Sequence, residues 1–314
     1  MARMIVDMHT HAGRGRIVDP VRTADLHTMR EGGVAAAVVA AVPDAGVIRV
    51  NAAGTEIEQY RSLEPGQALR DTIAQLDAYV ASGFRLAREP DEIRADDPAV
   101  VLAVEGCDFL EGDLDRLHSM AERGVRSIQL VHYVVNETGD IQTAPPAHGG
   151  LTPFGAEAVR QMQTLGIMVD VAHCSEATVR GVAAAARAPF LCTHSNLLEP
   201  GVAGGEHPRF ISRDYARMVV DSGGVIGAWI AVLFQEGFAG FLRHLFRLID
   251  AVGVDHVGIG TDMPLGIAAK ELPDFRRYGE IVEALRRHGM TAAEAEQVCS
   301  GNWLRVFRAA RQGR

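Results

Sequence analysis

The sequence predicts an α/β fold of the (β/α)8, or TIM barrel, type. Short apolar, β-branched runs recur along the 314 residues. Each run is followed by a stretch whose apolar positions recur at helical spacing. Several runs end in a histidine or an acid, as expected where strand ends meet at a barrel mouth.

The runs are Met4–His11, Ala35–Pro43, Val100–Gly106, Ser127–Tyr133, Ile167–His173, Pro189–Ser195, Gly224–Ile230 and His256–Met263, eight in all. Near-continuous apolar runs mark strands covered on both faces, the situation of a parallel sheet. Helical spacing occupies Phe154–Leu165, Ala177–Ala186, Phe238–Val252 and Phe275–His288. Barrels of this kind take about 250 residues plus insertions. The chain 1–314 is therefore expected to form a single barrel domain with a C-terminal helix. The structural competitor is a doubly wound open sheet. The first crossover lacks the GxGxxG that would make that alternative a nucleotide-binding one. Asn136–Gly150, with Pro145, Pro146 and paired glycines, reads as a long loop on the active face.

Composition narrows the function classes. A hydrophobic share of 47% and a charged share of 23% are those of an ordinary water-soluble protein. The formal charge of −9 argues against a nucleic-acid partner, which needs a basic face. Cys107, Cys174, Cys192 and Cys299 show no CxxC pairing, so neither a disulfide scaffold nor a cysteine-ligated zinc site is expected. The N-terminus has no charged segment followed by an apolar one, and no run of about 20 apolar residues occurs. The expectation is a cytoplasmic location and no membrane partner.

Metal-binding side chains are natural at the C-terminal mouth of a barrel. Strand 1 ends in His9-Thr10-His11, strand 3 in Glu105, and strand 4 in His132-Tyr133. Strand 5 ends in His173, strand 6 in His194, and strand 8 in Asp262. His9 and His11 are two apart, so both imidazoles leave the same side of an extended chain and can grip one ion. In a site for two metals, an anion must bridge cations roughly 3.5–4 Å apart. Some barrel sites use a carboxylated lysine there. The one lysine of this chain, Lys270, lies beyond strand 8, which leaves Glu105 as the bridging candidate. His173 and His194 end consecutive strands and should project side by side. Imidazole nitrogen and carboxylate oxygen are suitable zinc ligands. Asp262 either ligates the His9/His11 metal or takes a proton from the bridging water. His132 suits an electrophilic donor to a substrate oxygen. Arg209, in His207-Pro208-Arg209, is either a bidentate clamp for a carboxylate or a surface arginine.

Taken in order, these residues resemble the membrane (renal-type) dipeptidases, peptidase family M19 of the amidohydrolase superfamily. The densest matches are Gly149-Gly-Leu-Thr-Pro-Phe-Gly155, Leu165-Gly-Ile-Met-Val-Asp-Val-Ala-His173-Cys-Ser175 and Ala188-Pro-Phe-Leu-Cys-Thr-His194-Ser195. They continue through His207-Pro-Arg209, Asp255-His-Val-Gly-Ile-Gly-Thr-Asp262 and Gly301-Asn-Trp-Leu-Arg-Val-Phe307. The resemblance implies a zinc-dependent barrel, often a homodimer, that hydrolyses dipeptides with two divalent metal ions. It makes His9 and Glu105 ligands of the first metal, with Glu105 bridging to a second held by His173 and His194. It has His132 polarising the scissile carbonyl, Arg209 binding the terminal carboxylate and Asp262 shuttling the proton. One departure stands out. The family reads His-x-Asp on strand 1, where this chain has His9-Thr-His11, a pattern normal in the wider superfamily. The segment between strands 1 and 3 is also shorter than the family's usual one.

The function these readings predict is hydrolysis of a dipeptide by a hydroxide bridging two metal ions. The alternative is another reaction at the same site, on an N-acyl amino acid, a cyclic amide or a lactone. A metal-binding barrel without catalysis is a third possibility.

Overall fold

The computed structural model describes residues 4–11, 26–52, 57–81, 83–202, 204–230, 237–263, 272 and 274–312. Lys270 lies outside them. All eight strand runs form strands: β1 Ile5–Thr10, β2 Val34–Ala41, β3 Ala99–Glu105, β4 Val125–Gln129, β5 Met168–Asp170, β6 Leu191–Ser195, β7 Val225–Ala228 and β8 Val257–Ile259. Every neighbouring pair is parallel, and β1 pairs with both β2 and β8, so the sheet closes into a barrel. Closure rules out the open doubly wound sheet.

Helices fill the crossovers: α1 Leu26–Gly32, α2 Gln67–Ala81, α3 Arg116–Arg123, α4 Pro153–Thr164, α5 Glu176–Ala185, α6 Arg213–Asp221 and α7 Gly237–Val252. After β8 come α8 Gly279–Arg287, α9 Ala292–Glu296 and α10 Asn302–Gln312. The sequence sets several of their starts. Thr152, Ser175 and Ser212 each accept a hydrogen bond from an amide in the first turn of α4, α5 and α6, at 2.9, 3.2 and 3.0 Å. Such caps satisfy amides that would otherwise lack a partner. The run Phe275–His288 is divided, its first turn Phe275–Tyr278 being the tighter 3-10 form before α8 begins. A short antiparallel hairpin, Ile48–Val50 with Ile57–Gln59, projects between β2 and α2.

The strands are buried along their whole length, as near-continuous apolar runs require. Glycines let three of them approach closely. A Cβ on Gly227 or on Gly260 would lie 1.9 or 1.7 Å from the Thr193 carbonyl oxygen, so no larger residue fits at either place. Asn136–Gly150 is indeed a loop after β4, folded around Asp140. Its carboxylate accepts the amides of Ala147, His148 and Gly150 at 2.8, 2.9 and 2.7 Å. No helix among the described residues is long and apolar enough to cross a membrane.

Candidate active site

The barrel brings His9, His11, Glu105, His132, His173, His194, Arg209 and Asp262 together in one buried mouth, each no more than 5% exposed. His9 and His194 belong to β1 and β6, and Glu105 is the last residue of β3. His11 lies one residue past β1. His132, His173 and Asp262 lie three past β4, β5 and β8, so these strands are shorter than their apolar runs suggest. Leaving the strand has a conformational cause. His173 and Asp262 adopt positive φ, 67° and 61°, as only Glu111 does among the other described non-glycine residues. Such left-handed backbone is uncommon for side-chain-bearing residues and gathers at functional sites.

Glu105 is the hub. Its Oε1 lies 3.4 Å from His9 Nε2, 3.3 Å from His173 Nε2 and 3.6 Å from His194 Nε2. Its Oε2 is 3.2 Å from His11 Nε2. Asp262 Oδ1 is 3.1 Å from His11 Nε2 and 3.6 Å from His9 Nε2. His173 Nε2 and His194 Nε2 face each other at 3.1 Å. Donors at about 2.0–2.2 Å from a tetrahedral ion sit roughly 3.3–3.6 Å apart, so this spacing fits shared cations. Two donor groups emerge, His9–His11–Glu105–Asp262 and Glu105–His173–His194, with Glu105 common to both. Several of these atoms are otherwise orphaned. His9 Nε2, Glu105 Oε2 and Asp262 Oδ1 are buried with no hydrogen-bond partner among the described residues. Buried polar atoms are normally satisfied, so the residues fit a bound cation.

Protonation follows the same logic. Burial alone would raise the Glu105 carboxyl, but His132, His9 and His11 outweigh it and hold it well below the usual range. Burial pulls His11 down, yet Asp262 and Glu105 push it up to about 10. A pocket that favours an imidazolium there is one that favours a cation. Burial drives His173 and His194 well below the usual histidine value, with Arg209 adding to both, so they are neutral donors. The tautomer of His194 is fixed from behind. Thr193 gives its hydroxyl proton to Asp170 Oδ2 at 2.5 Å. Its oxygen must then accept from His194 Nδ1, 3.1 Å away, which leaves the Nε2 lone pair facing the mouth.

His9, Asp170 and His194 form a third group close enough for an ion. Asp170, however, already accepts from Thr193 Oγ1 and from the amides of Ala172 and Thr193 at 3.0 Å each. It supports the site rather than opening into it.

Around the donors stand the remaining side chains. His132 Nδ1 donates to Asp44 Oδ1 at 2.7 Å, so its Nε2 faces inward, 3.5 Å from Glu105 Oε1. Burial lowers His132, and Asp44 and Glu105 more than reverse this, for a net rise. Arg209 is 1% exposed and no surface residue. Its guanidinium lies between the rings of Tyr133 and Trp229, 5.9 and 5.2 Å from their centroids. Its Nε donates to Gln142 Oε1 at 3.3 Å, which ties it to the loop after β4. Its Nη2 has no hydrogen-bond partner among the described residues.

Two neighbours escaped sequence reasoning. Asp44 follows Pro43 at the end of the second apolar run, the same positional signal that marked Glu105, and could have been found by it. Trp229 is the penultimate residue of the seventh run, where an aromatic reads as core. Its role depends on the indole N–H, which no spacing reveals.

A model of the membrane dipeptidase family, peptidase family M19, matches residues 13–314. The chain belongs to that family. The match begins beyond β1, so it leaves out His9 and His11. Dipeptidase aclJ of Aspergillus oryzae is 29% identical over 219 residues, 66% of this chain and 50% of that protein. Two solved structures share the fold. One, a metallopeptidase of family M19 called dipeptidase AC, has a TM-score of 0.82 at 24% identity and covers 99% of both chains. The other is a Rhodobacter sphaeroides metallopeptidase with a bound phosphinate mimic of the dipeptide L-Ala-D-Ala. It has a TM-score of 0.81 at 24% identity over 99% of this chain and 100% of that one. The expected family and barrel are thereby both established.

Proposed function

We propose that this family member is a metal-dependent dipeptidase acting on substrates with a free terminal carboxylate. One observation carries the reading. Arg209, a buried cation with an unpartnered Nη2, stands in the same mouth as a set of unsatisfied metal-donor atoms. An uncompensated buried charge costs several kcal/mol, about what an anionic group entering the mouth would recover. The dipeptide mimic held by the Rhodobacter sphaeroides relative supports a substrate of that chemistry.

In this reading His9, His11 and Glu105 hold one divalent ion, and Glu105, His173 and His194 hold a second, zinc being the expected ion. Such ions lower the pKa of a water and polarise a carbonyl. The chain's own residues do the rest. Arg209 binds the substrate carboxylate through two parallel hydrogen bonds. His132, whose Nδ1 proton is engaged by Asp44, presents Nε2 to the scissile carbonyl oxygen. Asp262 takes the proton of the attacking water on Oδ1 and passes it to the leaving amine. The second subunit of a homodimer and the intracellular setting belong to the same proposal.

The test compares hydrolysis of dipeptides with that of their C-terminal amides by the zinc-loaded protein. Turnover of the free acids and loss of about 10-fold or more on the amides is expected, because the guanidinium then lacks its charged partner. Equal turnover of both would point instead to an amide or lactone substrate without a carboxylate.

A further inference from the structure

Trp229 follows β7 and is 5% exposed. Its edge and its face meet different functional groups. The indole Nε1 donates to Asp262 Oδ2 at 3.2 Å. Over the ring face lies the Arg209 guanidinium, 5.2 Å from the centroid. The backbone of Trp229 is itself clamped. Its amide lies 3.2 Å from both Ser195 O and Asn196 Oδ1, and its carbonyl accepts from Asn196 Nδ2 at 2.9 Å. His207 and Phe210 rings, at 5.6 and 6.4 Å between centroids, fill the space beside it.

We propose that Trp229 is a positioning residue that sets Asp262 and Arg209 in one rigid frame, coupling proton transfer to recognition of the substrate carboxylate. This rests on the roles given above to those two residues. An indole N–H only donates, so it can occupy one carboxylate oxygen and cannot compete for the other. With Oδ2 held, Oδ1 is left turned toward His11 and His9, 3.1 and 3.6 Å away, and forms no hydrogen bond among the described residues. The negative face of the same ring attracts the guanidinium and orients it without using any of its N–H donors. With Nε given to Gln142, Nη2 stays available to a substrate carboxylate.

The two contacts separate by substitution. Trp229→Phe keeps the face and loses the edge donor, whereas Trp229→Leu loses both. In the zinc-loaded protein, Trp229→Phe is expected to lower kcat about 10-fold or more, the worth of a hydrogen bond to a charged group. Its KM for a dipeptide stays within about 3-fold, since the cation–π contact survives. Trp229→Leu should also raise KM for the dipeptide by about 3–30-fold, with no such rise for the C-terminal amide. The kcat loss of Trp229→Phe should vanish in an Asp262→Asn background, because it acts through that carboxylate. Wild-type kcat in Trp229→Phe, or losses that simply multiply with Asp262→Asn, would overturn the proposal.

A second readout does not depend on turnover. Trp303, the other tryptophan, is buried against Phe307 in the core, so Trp303→Phe leaves Trp229 as the sole indole emitter. Titration with a phosphinate dipeptide mimic should shift that emission, and Arg209→Met should abolish the shift. Binding with unchanged emission would overturn the coupling. A protein that hydrolyses no dipeptide yet gives the Arg209-dependent shift would refute the proposed substrate and leave the role of Trp229 standing.

Discussion

Two kinds of buried carboxylate share this barrel, and the difference between them separates fold from chemistry. Asp7 and Asp170 are saturated. Asp7 accepts Thr261 Oγ1 and Tyr278 Oη at 2.6 Å each and the Thr261 amide at 3.0 Å, tying β1 to the chain beyond β8. Asp170 ties β5 to β6 through Thr193. Burial raises the pKa of both, and those hydrogen bonds pull it only part of the way back. Glu105 is equally buried but surrounded by imidazoles, and its carboxyl is held down despite burial. Hydroxyls and amides meet the saturated acids, which complete the fold. Imidazole nitrogens surround the open one, an arrangement that fits a cation.

The comparison breaks first at Glu105. Glu105→Gln keeps the shape and removes the charge common to both donor groups. Metal affinity should fall by more than the roughly 10–100-fold typical of a ligand's supporting partner, with the melting temperature of the metal-free protein little lowered. Metal content by mass spectrometry under native conditions checks this, and full retention of metal would sink the division. Asp7→Asn should behave oppositely. It turns an acceptor of two hydroxyls into a donor, so urea denaturation should show a loss of about 1–3 kcal/mol with metal content unchanged.

Asp108 sharpens the comparison through pH. Burial, with the Asp44 charge adding to it, pushes its pKa from 3.8 up to about 8. The folded state therefore keeps this proton where the unfolded chain has lost it. The resulting stability is complete below about pH 4, declines as pH rises, and is gone above the folded pKa. Asp108→Asn resembles the protonated acid, so its denaturation midpoint should fall less steeply between pH 5 and 8. An unchanged slope would mean that Asp108 is ionised throughout. This is a change of slope rather than of level, the smallest effect of the three.

Much of this was legible in the sequence. The eight runs located every barrel strand, because strands covered on both faces must be apolar nearly throughout. The donors were legible because polar residues are tolerated in such runs only at the mouth. Strand ends were less so: His132, His173 and Asp262 lie three residues beyond their strands, the last two at a positive φ that an apolar pattern does not encode. Arg209 could be read equally as clamp or as surface charge. Only its burial between Tyr133 and Trp229 removed the second reading.

By itself the sequence determined the barrel, through the periodicity of its runs, and the family, through the motifs it shares with it, and it named candidate metal donors by residue type at strand ends. The tertiary structure decided which carboxylates are spent on the fold and which remain open. It also decided which nitrogen of His132 and of His194 faces the mouth, and that one indole touches both Asp262 and Arg209. Most of these are relations between residues far apart in the chain, 33 positions for Trp229 with Asp262 and 254 for Asp7 with Thr261. Such pairs are set by the closing of the sheet, and no local pattern along the chain carries them.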